Sequence, residues 1–264
     1  MPNTEPSIAV DALRKKFGAT TALDGIDLSV DGAGILGVAG PNGSGKTTLI
    51  HCLLGLVSPT AGEACIAGTP PQSFDADDRR RIGYMPQHTA VYDDLTVREN
   101  VAFFARLYGV DDRATAIDRA LSFVDLADRA DSRIGELSGG MIRRTSLACA
   151  LVHDPDVLFL DEPTVGLDPK LRASMWEGFR QRRDNGALVV VSTHYLDEVK
   201  HCDRVLFLRE GRVLTVDSPD GVLDATGTDE LEAAFLTLLD DEGATPSDKS
   251  TPSATDSTNG GAGS

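Results

Sequence analysis

The chain has 264 residues, enough for one large α/β domain with a sizeable core. Its formal net charge of −16 comes from 30 Asp and 11 Glu set against 19 Arg and only 6 Lys. That balance argues against a nucleic-acid-binding surface and against direct attachment to an anionic membrane face. No apolar stretch reaches the roughly 18–20 residues that span a bilayer, and Met1 to Pro6 is polar, so a soluble cytoplasmic protein is expected. Cys52, Cys65, Cys149 and Cys202 are scattered, with no C-x-x-C pair, and read as small apolar packing residues rather than metal ligands or a disulfide frame.

In chain order, Ile8 to Leu13 and Leu23 to Val30 alternate apolar and polar residues as strands do. Between them, Arg14-Lys15-Lys16-Phe17-Gly18 reads as a charged loop. Phe17 there is either a platform for a stacking ring such as adenine or an aromatic tucked onto its own strand. Ile35 to Ala39 reads as a buried strand, and it runs into Gly40-Pro41-Asn42-Gly43-Ser44-Gly45-Lys46-Thr47, which fits G-x-x-x-x-G-K-[ST]. Lys46 to Leu56 follows as a helix, with Thr48 in its first turn, so the motif has the strand–loop–helix context it needs. Glycines let backbone N–H groups converge on an anion at a helix N-terminus. Lys46 is then suited to the β- and γ-phosphates of a nucleoside triphosphate, and Thr47 to Mg²⁺. Kinases, GTPases and motors all share such a loop.

Gly62 to Gly68 reads as a short strand, and Asp75 to Arg81 as a loop or weak helix. Arg81 to Gln87 is a strand that Pro86 ends, leaving Gln87 at its edge. Thr96 and Glu99 form a capping box, after which Val97, Val101, Phe104 and Leu107 recur at helical spacing. Ile117, Leu121 and Val124 repeat the pattern within Ala114 to Ala127. These helices interrupt a strand-alternating chain as an inserted subdomain does, over about residues 88–153. Leu137-Ser138-Gly139-Gly140-Met141 opens a further helix, where Ser138 is either an ordinary N-cap or part of a second anion site.

Val157 to Leu160 is a continuous apolar run, a buried parallel strand ending in Asp161-Glu162-Pro163. With a phosphate loop upstream, Asp161 reads as the second Mg²⁺ contact and Glu162 as a group that polarises an attacking water. Leu188 to Ser192 is another buried strand with Thr193-His194 at its carboxyl end, where open α/β sheets gather ligand groups. Taken alone, His194 is more often structural than catalytic; His51, His88, His153 and His201 read as structural or surface residues. Val205 to Leu208 and Val213 to Val216 read as a hairpin, and Asp229 to Asp240 as an amphipathic helix packed back on the domain. Ala244 to Ser264 lacks aromatic and large aliphatic residues and is expected to be a disordered tail.

The order of these motifs resembles the ATP-binding subunit of ABC transporters, over about Ile8 to Leu239. Gly40 to Thr47 is similar to the family's Walker A, Val157 to Asp161 to its Walker B, and Leu137 to Met141 to its L-S-G-G-Q signature. Gln87 matches the Q-loop, Gly166-Leu167-Asp168 the D-loop, His194 the switch histidine, and Phe17 the adenine-stacking aromatic, usually Tyr. Two residues depart: Met141 replaces the usual Gln, and Phe17 lacks the Tyr hydroxyl.

The resemblance implies an α/β phosphate-loop fold over residues 1–243, with a mixed sheet, N-terminal antiparallel β strands and an inserted α-helical signature subdomain. It implies ATP and Mg²⁺ as cofactors, an integral membrane permease as partner, no nucleic acid, and a peripheral place on the inner face of the membrane. Two such domains close head to tail, as a homodimer or with a paired ATP-binding subunit. Each nucleotide then lies between Lys46, Thr47 and Asp161 of one subunit and Ser138, Gly139 and Gly140 of the other. Glu162 is the implied base, His194 holds the γ-phosphate and water, and Gln87 senses Mg²⁺. Val157 to Pro169, Trp176 and Leu231 to Leu236 are similar to exporters of the drug- and antibiotic-resistance (daunorubicin-resistance-type) group.

The Asp-rich, Lys-poor composition resembles proteins of salt-loving archaea, in whose molar KCl a Debye length of ~3 Å screens self-repulsion. A soluble ABC ATPase that moves no substrate is the alternative. A GTPase normally selects guanine with N-K-x-D, and no Asn-Lys occurs in the chain.

Overall fold

Two β-sheets flank the phosphate loop in the computed structural model, which describes residues 7–88 and 90–243. The tail expected from Ala244 to Ser264 lies outside the described residues. The smaller sheet is antiparallel, in the order β2 (Thr20–Val30), β1 (Ile8–Phe17), β4 (Ala61–Ile66). The larger has the order β5 (Ile82–Met85), β6 (Val157–Asp161), β7 (Leu188–Thr193), β3 (Gly34–Ala39), β8 (Arg204–Arg209), β9 (Arg212–Asp217). All its pairings are parallel except the β8–β9 hairpin.

The inner strands β6 and β7 are buried along their whole length, because helices or the second sheet cover both faces. Leu158, Leu160, Val189 and Val191 face one core with Trp176 and Phe179. Phe159, Leu188 and Val190 face the other, with Leu49, Ile50 and the small sheet's Ile8, Leu13 and Ile26. The period of two along each strand decides which core a residue joins.

The helices are α1 (Lys46–Leu53), α2 (Ala76–Arg80), α3 (Val97–Leu107), α4 (Arg113–Phe123), α5 (Gly139–Leu151), α6 (Pro169–Asp184), α7 (Pro219–Thr226) and α8 (Leu231–Gly243). Helices α3 to α5 lie between β5 and β6 in the chain and form the helical insert. The capping box of Thr96 and Glu99 closes α3 as anticipated. At the seam between insert and core, the His153 ring stacks on Tyr108 with centroids 3.8 Å apart, and its Nε2 lies 3.1 Å from the Ile82 carbonyl. Gly83 permits this seam: a Cβ there would sit 2.5 Å from the Ala150 carbonyl oxygen.

Several local expectations need correcting. Arg14 to Phe17 is not a loop: β1 continues to Phe17, with Arg14 opposite Asp24 and ion-paired to it at 3.0 Å, and Phe17 opposite Thr20. One face of this sheet meets solvent, so charged residues fit the strand. Of the two readings of Asp75 to Arg81, loop or weak helix, the short helix α2 holds, because the Asp75 carboxylate accepts from the Asp77 and Asp78 N–H groups while the Asp78 carboxylate accepts from the Asp75 N–H. α1 stops at Leu53 rather than Leu56. α6 was not foreseen; only Met175, Trp176, Gly178 and Phe179 of its sixteen residues are buried, too thin an apolar stripe to stand out.

Candidate active site

The phosphate loop is shaped by what its glycines avoid. A Cβ on Gly40 (φ +157°) would meet the Leu208 carbonyl oxygen at 2.1 Å, and one on Gly45 (φ +111°) the Ala22 carbonyl oxygen at 2.7 Å. Glycine alone therefore lets the loop lie against β8 and β2. Pro41, Asn42 and Gly43 form the exposed rim, and nothing lies within 4 Å of a Cβ on Gly43. Thr48 is half-buried in the first turn of α1. Ser44 Oγ is buried without a protein partner. An orphaned buried hydroxyl in a glycine-rich loop that leads into a helix N-terminus fits an anion such as phosphate.

Lys46 is buried, and its Nζ donates to the carbonyls of Gly40 at 2.7 Å and Pro41 at 3.0 Å. Burial lowers its pKa, while the nearby Glu162 and Asp161 charges push it back up. Thr47 Oγ1 donates to Asp161 Oδ2 at 2.9 Å. The other Asp161 oxygen accepts from Ser192 Oγ, which in turn accepts from the Glu162 N–H at 2.9 Å. Glu162 has φ +51°, a left-handed backbone that costs about 1–3 kcal/mol for a residue with a side chain. The Ser192 hydroxyl and carbonyl both hold its N–H in that pose. Its carboxylate is gripped from two sides: Gln87 Nε2 donates to Oε2 at 3.1 Å, and His194 Nδ1 lies 3.0 Å from Oε1.

The expected residues Thr47, Gln87, Asp161, Glu162 and His194 are thus linked, directly or through the Ser192 hydroxyl, at the carboxyl ends of β3, β5, β6 and β7, and Lys46 is held by the loop carbonyls close enough to feel both acids. Others stand apart. Ser138 caps α5, accepting from the Met141 N–H at 3.4 Å; it and Gly139 are exposed and Gly140 is half-buried. Among the described residues no hydrogen bond links these three to the phosphate loop. Asp168 caps α6 through the N–H groups of Lys170 and Leu171. Phe17 is 50% exposed, with the Lys15 ammonium 4.7 Å from its ring centroid.

Three residues were missed at the sequence level. Arg143 donates to main-chain carbonyls at the acid turn and at Gln87. Ser192 bridges both acids. Glu198, 1% exposed, accepts from Thr193 Oγ1 at 2.8 Å; that oxygen also accepts from the Tyr195 N–H, so Glu198 braces the turn that carries His194. For Arg143 the available signal was its place beside Arg144 in an otherwise largely apolar helix.

Among the described residues no group of three His, Cys, Asp or Glu could hold a metal ion. A hydroxyl and carboxylate in contact, Thr47 and Asp161, with the Gln87 amide nearby, instead fit Mg²⁺. That ion takes few protein oxygens and completes its shell with water and substrate phosphates.

With this geometry established, the comparisons decide the family. The ABC transporter family model matches residues 23–165. The chain belongs to the ABC transporter family, as an ATP-binding subunit. Nod factor export ATP-binding protein I of Burkholderia lata is 41% identical over 224 residues, covering 83% of this chain and 74% of that one. The probable multidrug ABC transporter ATP-binding protein YbhF of Escherichia coli (strain K12) is 36% identical over 244 residues, covering 90% of this chain and 42% of that one. The dimeric post-hydrolysis structure of the ATP-binding cassette MJ0796, bound to ADP and Pi, matches with a TM-score of 0.74 at 26% identity, over 80% of this chain and 98% of that one. This ABC subunit is accordingly an ATPase that binds ATP, and the α/β fold with its antiparallel and mixed sheets is the one expected. No helix of the described residues is long and apolar enough to cross a membrane.

Proposed function

We propose that this ABC subunit drives export through a separate membrane permease, acting as a closed dimer with two ATP molecules at its interface. The observation that carries the reading is the split site: Thr47, Asp161, Glu162, Gln87 and His194 are linked by hydrogen bonds, directly or through Ser192, with Lys46 buried near both acids, whereas Ser138 and Gly139 are exposed on another element. A second subunit would bring its own Ser138 and glycines over the first subunit's phosphate loop.

In this mechanism the backbone N–H groups from Asn42 to Thr48 cradle the phosphates, and the Lys46 ammonium turns from the Gly40 and Pro41 carbonyls toward them. Thr47, Asp161 and Gln87 would hold Mg²⁺, which would neutralise phosphate charge. Phe17 stacks on adenine, and Asp168 completes the D-loop at the dimer seam. Glu162 takes the proton of the attacking water as general base, and His194 orients the γ-phosphate and that water. Both residues that grip the Glu162 carboxylate are also those assigned to metal and γ-phosphate, so engaging nucleotide would free the base.

Residues 1–243 act as one unit in this reading, with the helical insert at about 88–153. An apolar groove of about 430 Å³ between core and insert supports a permease contact: Leu54, Leu56, Phe74, Tyr84 and Leu107 line it, and Leu56 and Leu107 are exposed. Tyr84 lies on β5, the strand leading to Gln87. The names of the relatives support export, and the motifs from Val157 to Pro169 favour the drug-export branch. The net charge of −16 supports a halophilic source, a reading that an unchanged melting temperature in dilute buffer would remove.

The test is co-purification of tagged Glu162→Gln from native membranes with ATP and molar KCl. ATP should lock the dimer and retain the coupled permease. Recovery of a polytopic membrane protein at one copy per ATPase supports the transporter. Recovery of soluble partners only supports the alternative, a soluble ABC ATPase that moves no substrate.

A further inference from the structure

Arg143 lies in the second turn of α5, five residues after Ser138. Its Nε donates to the Pro163 carbonyl at 3.0 Å, Nη1 to the Gln87 carbonyl at 3.2 Å, and Nη2 to the carbonyls of Asp161 at 3.2 Å and Glu162. One planar guanidinium therefore ties together the signature helix, the Q-loop and the turn that carries both acids. Among the described residues it makes no carboxylate ion pair; its N–H groups go to main-chain oxygens, the fork geometry suited to fixing segments relative to one another. Burial pulls its pKa below the ordinary arginine value, opposed by the Glu162 and Asp161 charges.

The consequence lies in what each segment carries. Gln87 and His194 hold the carboxylate end of Glu162, and Arg143 holds its main-chain end. The helix bearing Arg143 is capped at its N-terminus by Ser138. We propose that Arg143 is a positioning residue that makes the pose of Glu162 depend on the placement of α5, so that engagement of Ser138 at the dimer interface is transmitted to the acid of the same subunit. The inference rests on the reading of Glu162 as base and of Ser138 as a contact to the partner's nucleotide. A lysine keeps the charge but puts its three N–H groups on one atom, so it loses the planar fork that holds the Gln87, Pro163, Asp161 and Glu162 carbonyls at once.

The experiment compares Arg143→Lys, Glu162→Gln and the double variant with the parent, in ATPase rate against ATP concentration and in affinity for a fluorescent non-hydrolysable ATP analogue. Arg143→Lys should lower kcat by about 30-fold or more, the scale expected when a catalytic group is displaced by an ångström, with analogue affinity within about twofold. Because Arg143 acts through Glu162, the double variant should turn over no more slowly than Glu162→Gln alone. A parental rate in Arg143→Lys would overturn the proposal, as would a matching loss of analogue affinity or a further loss in the double variant. Undiminished turnover in Glu162→Gln alone would instead refute the base assignment on which the proposal rests.

Discussion

The core and the helical insert present their functional groups in opposite ways. In the core, Ser44, Lys46, Asp161, Glu162, Ser192 and Thr193 are buried, and all but the Ser44 hydroxyl are held by protein hydrogen bonds. In the insert, Ser138 and Gly139 are exposed at a helix N-terminus with a single capping bond. The contrast fits the roles proposed for each. A group that reacts needs a fixed pose away from bulk water, where electrostatics act strongly. A group that engages and releases a partner must remain at the surface.

The largest expected effect tests the core half. Glu162→Gln should lower steady-state phosphate release about a thousandfold, the scale of a lost general base, while ATP affinity holds. An undiminished rate would mean that the buried cluster does not house the base.

An intermediate effect lies at the seam, where His153 joins the two regions. Its Nε2 bonds the Ile82 carbonyl, its Nδ1 is buried without a partner, and Tyr108 covers one face. Burial depresses its pKa to about 4, with Arg182 lowering it further and Asp154 opposing. The sign follows from linkage. Below about pH 6.5 the unfolded chain binds a proton that the folded one refuses, so this contribution is whole above pH 6.5 and is lost as pH falls toward 4. Between pH 7 and 5 the parent should lose about 2 kcal/mol at this residue. Denaturant melts at both pH values check it: His153→Phe should flatten that interval, and an identical slope would remove His153 as the cause.

The smallest effect concerns the insert half. Met141 is half-buried against the insert's core, and its N–H is capped by Ser138. Restoring the usual amide with Met141→Gln should change the ATPase rate by less than ~tenfold, or ~1.4 kcal/mol of barrier. A larger change would show that the side chain at this position, and not the Ser138 cap with its glycines, dominates the exposed half.

Some of this could be read along the chain. The phosphate loop, the acid pair after β6, and the caps at Thr96 and Ser138 are local patterns, in which each group is defined by neighbours a few residues away. The buried strands announced themselves as short apolar runs, whereas α6, mostly polar, did not. Phe17 illustrates the limit: its charged surroundings imitate a loop, and only pairing with β2 makes that segment a strand.

By itself, the sequence determined the fold class and the ATPase family, and it named the groups proposed to carry the chemistry, because those depend on residue type and short spacing. Only the tertiary structure decided that Arg143 straps the acid turn, that Ser192 orders both acids, that Glu198 braces the His194 turn and that His153 closes the seam. Arg143, Ser192 and His153 find partners on distant stretches of the chain, and Glu198 acts as a buried carboxylate only because the fold closes over it, so the sequence could at most mark Arg143 as an unusual charge in its helix and could not show what any of the four holds.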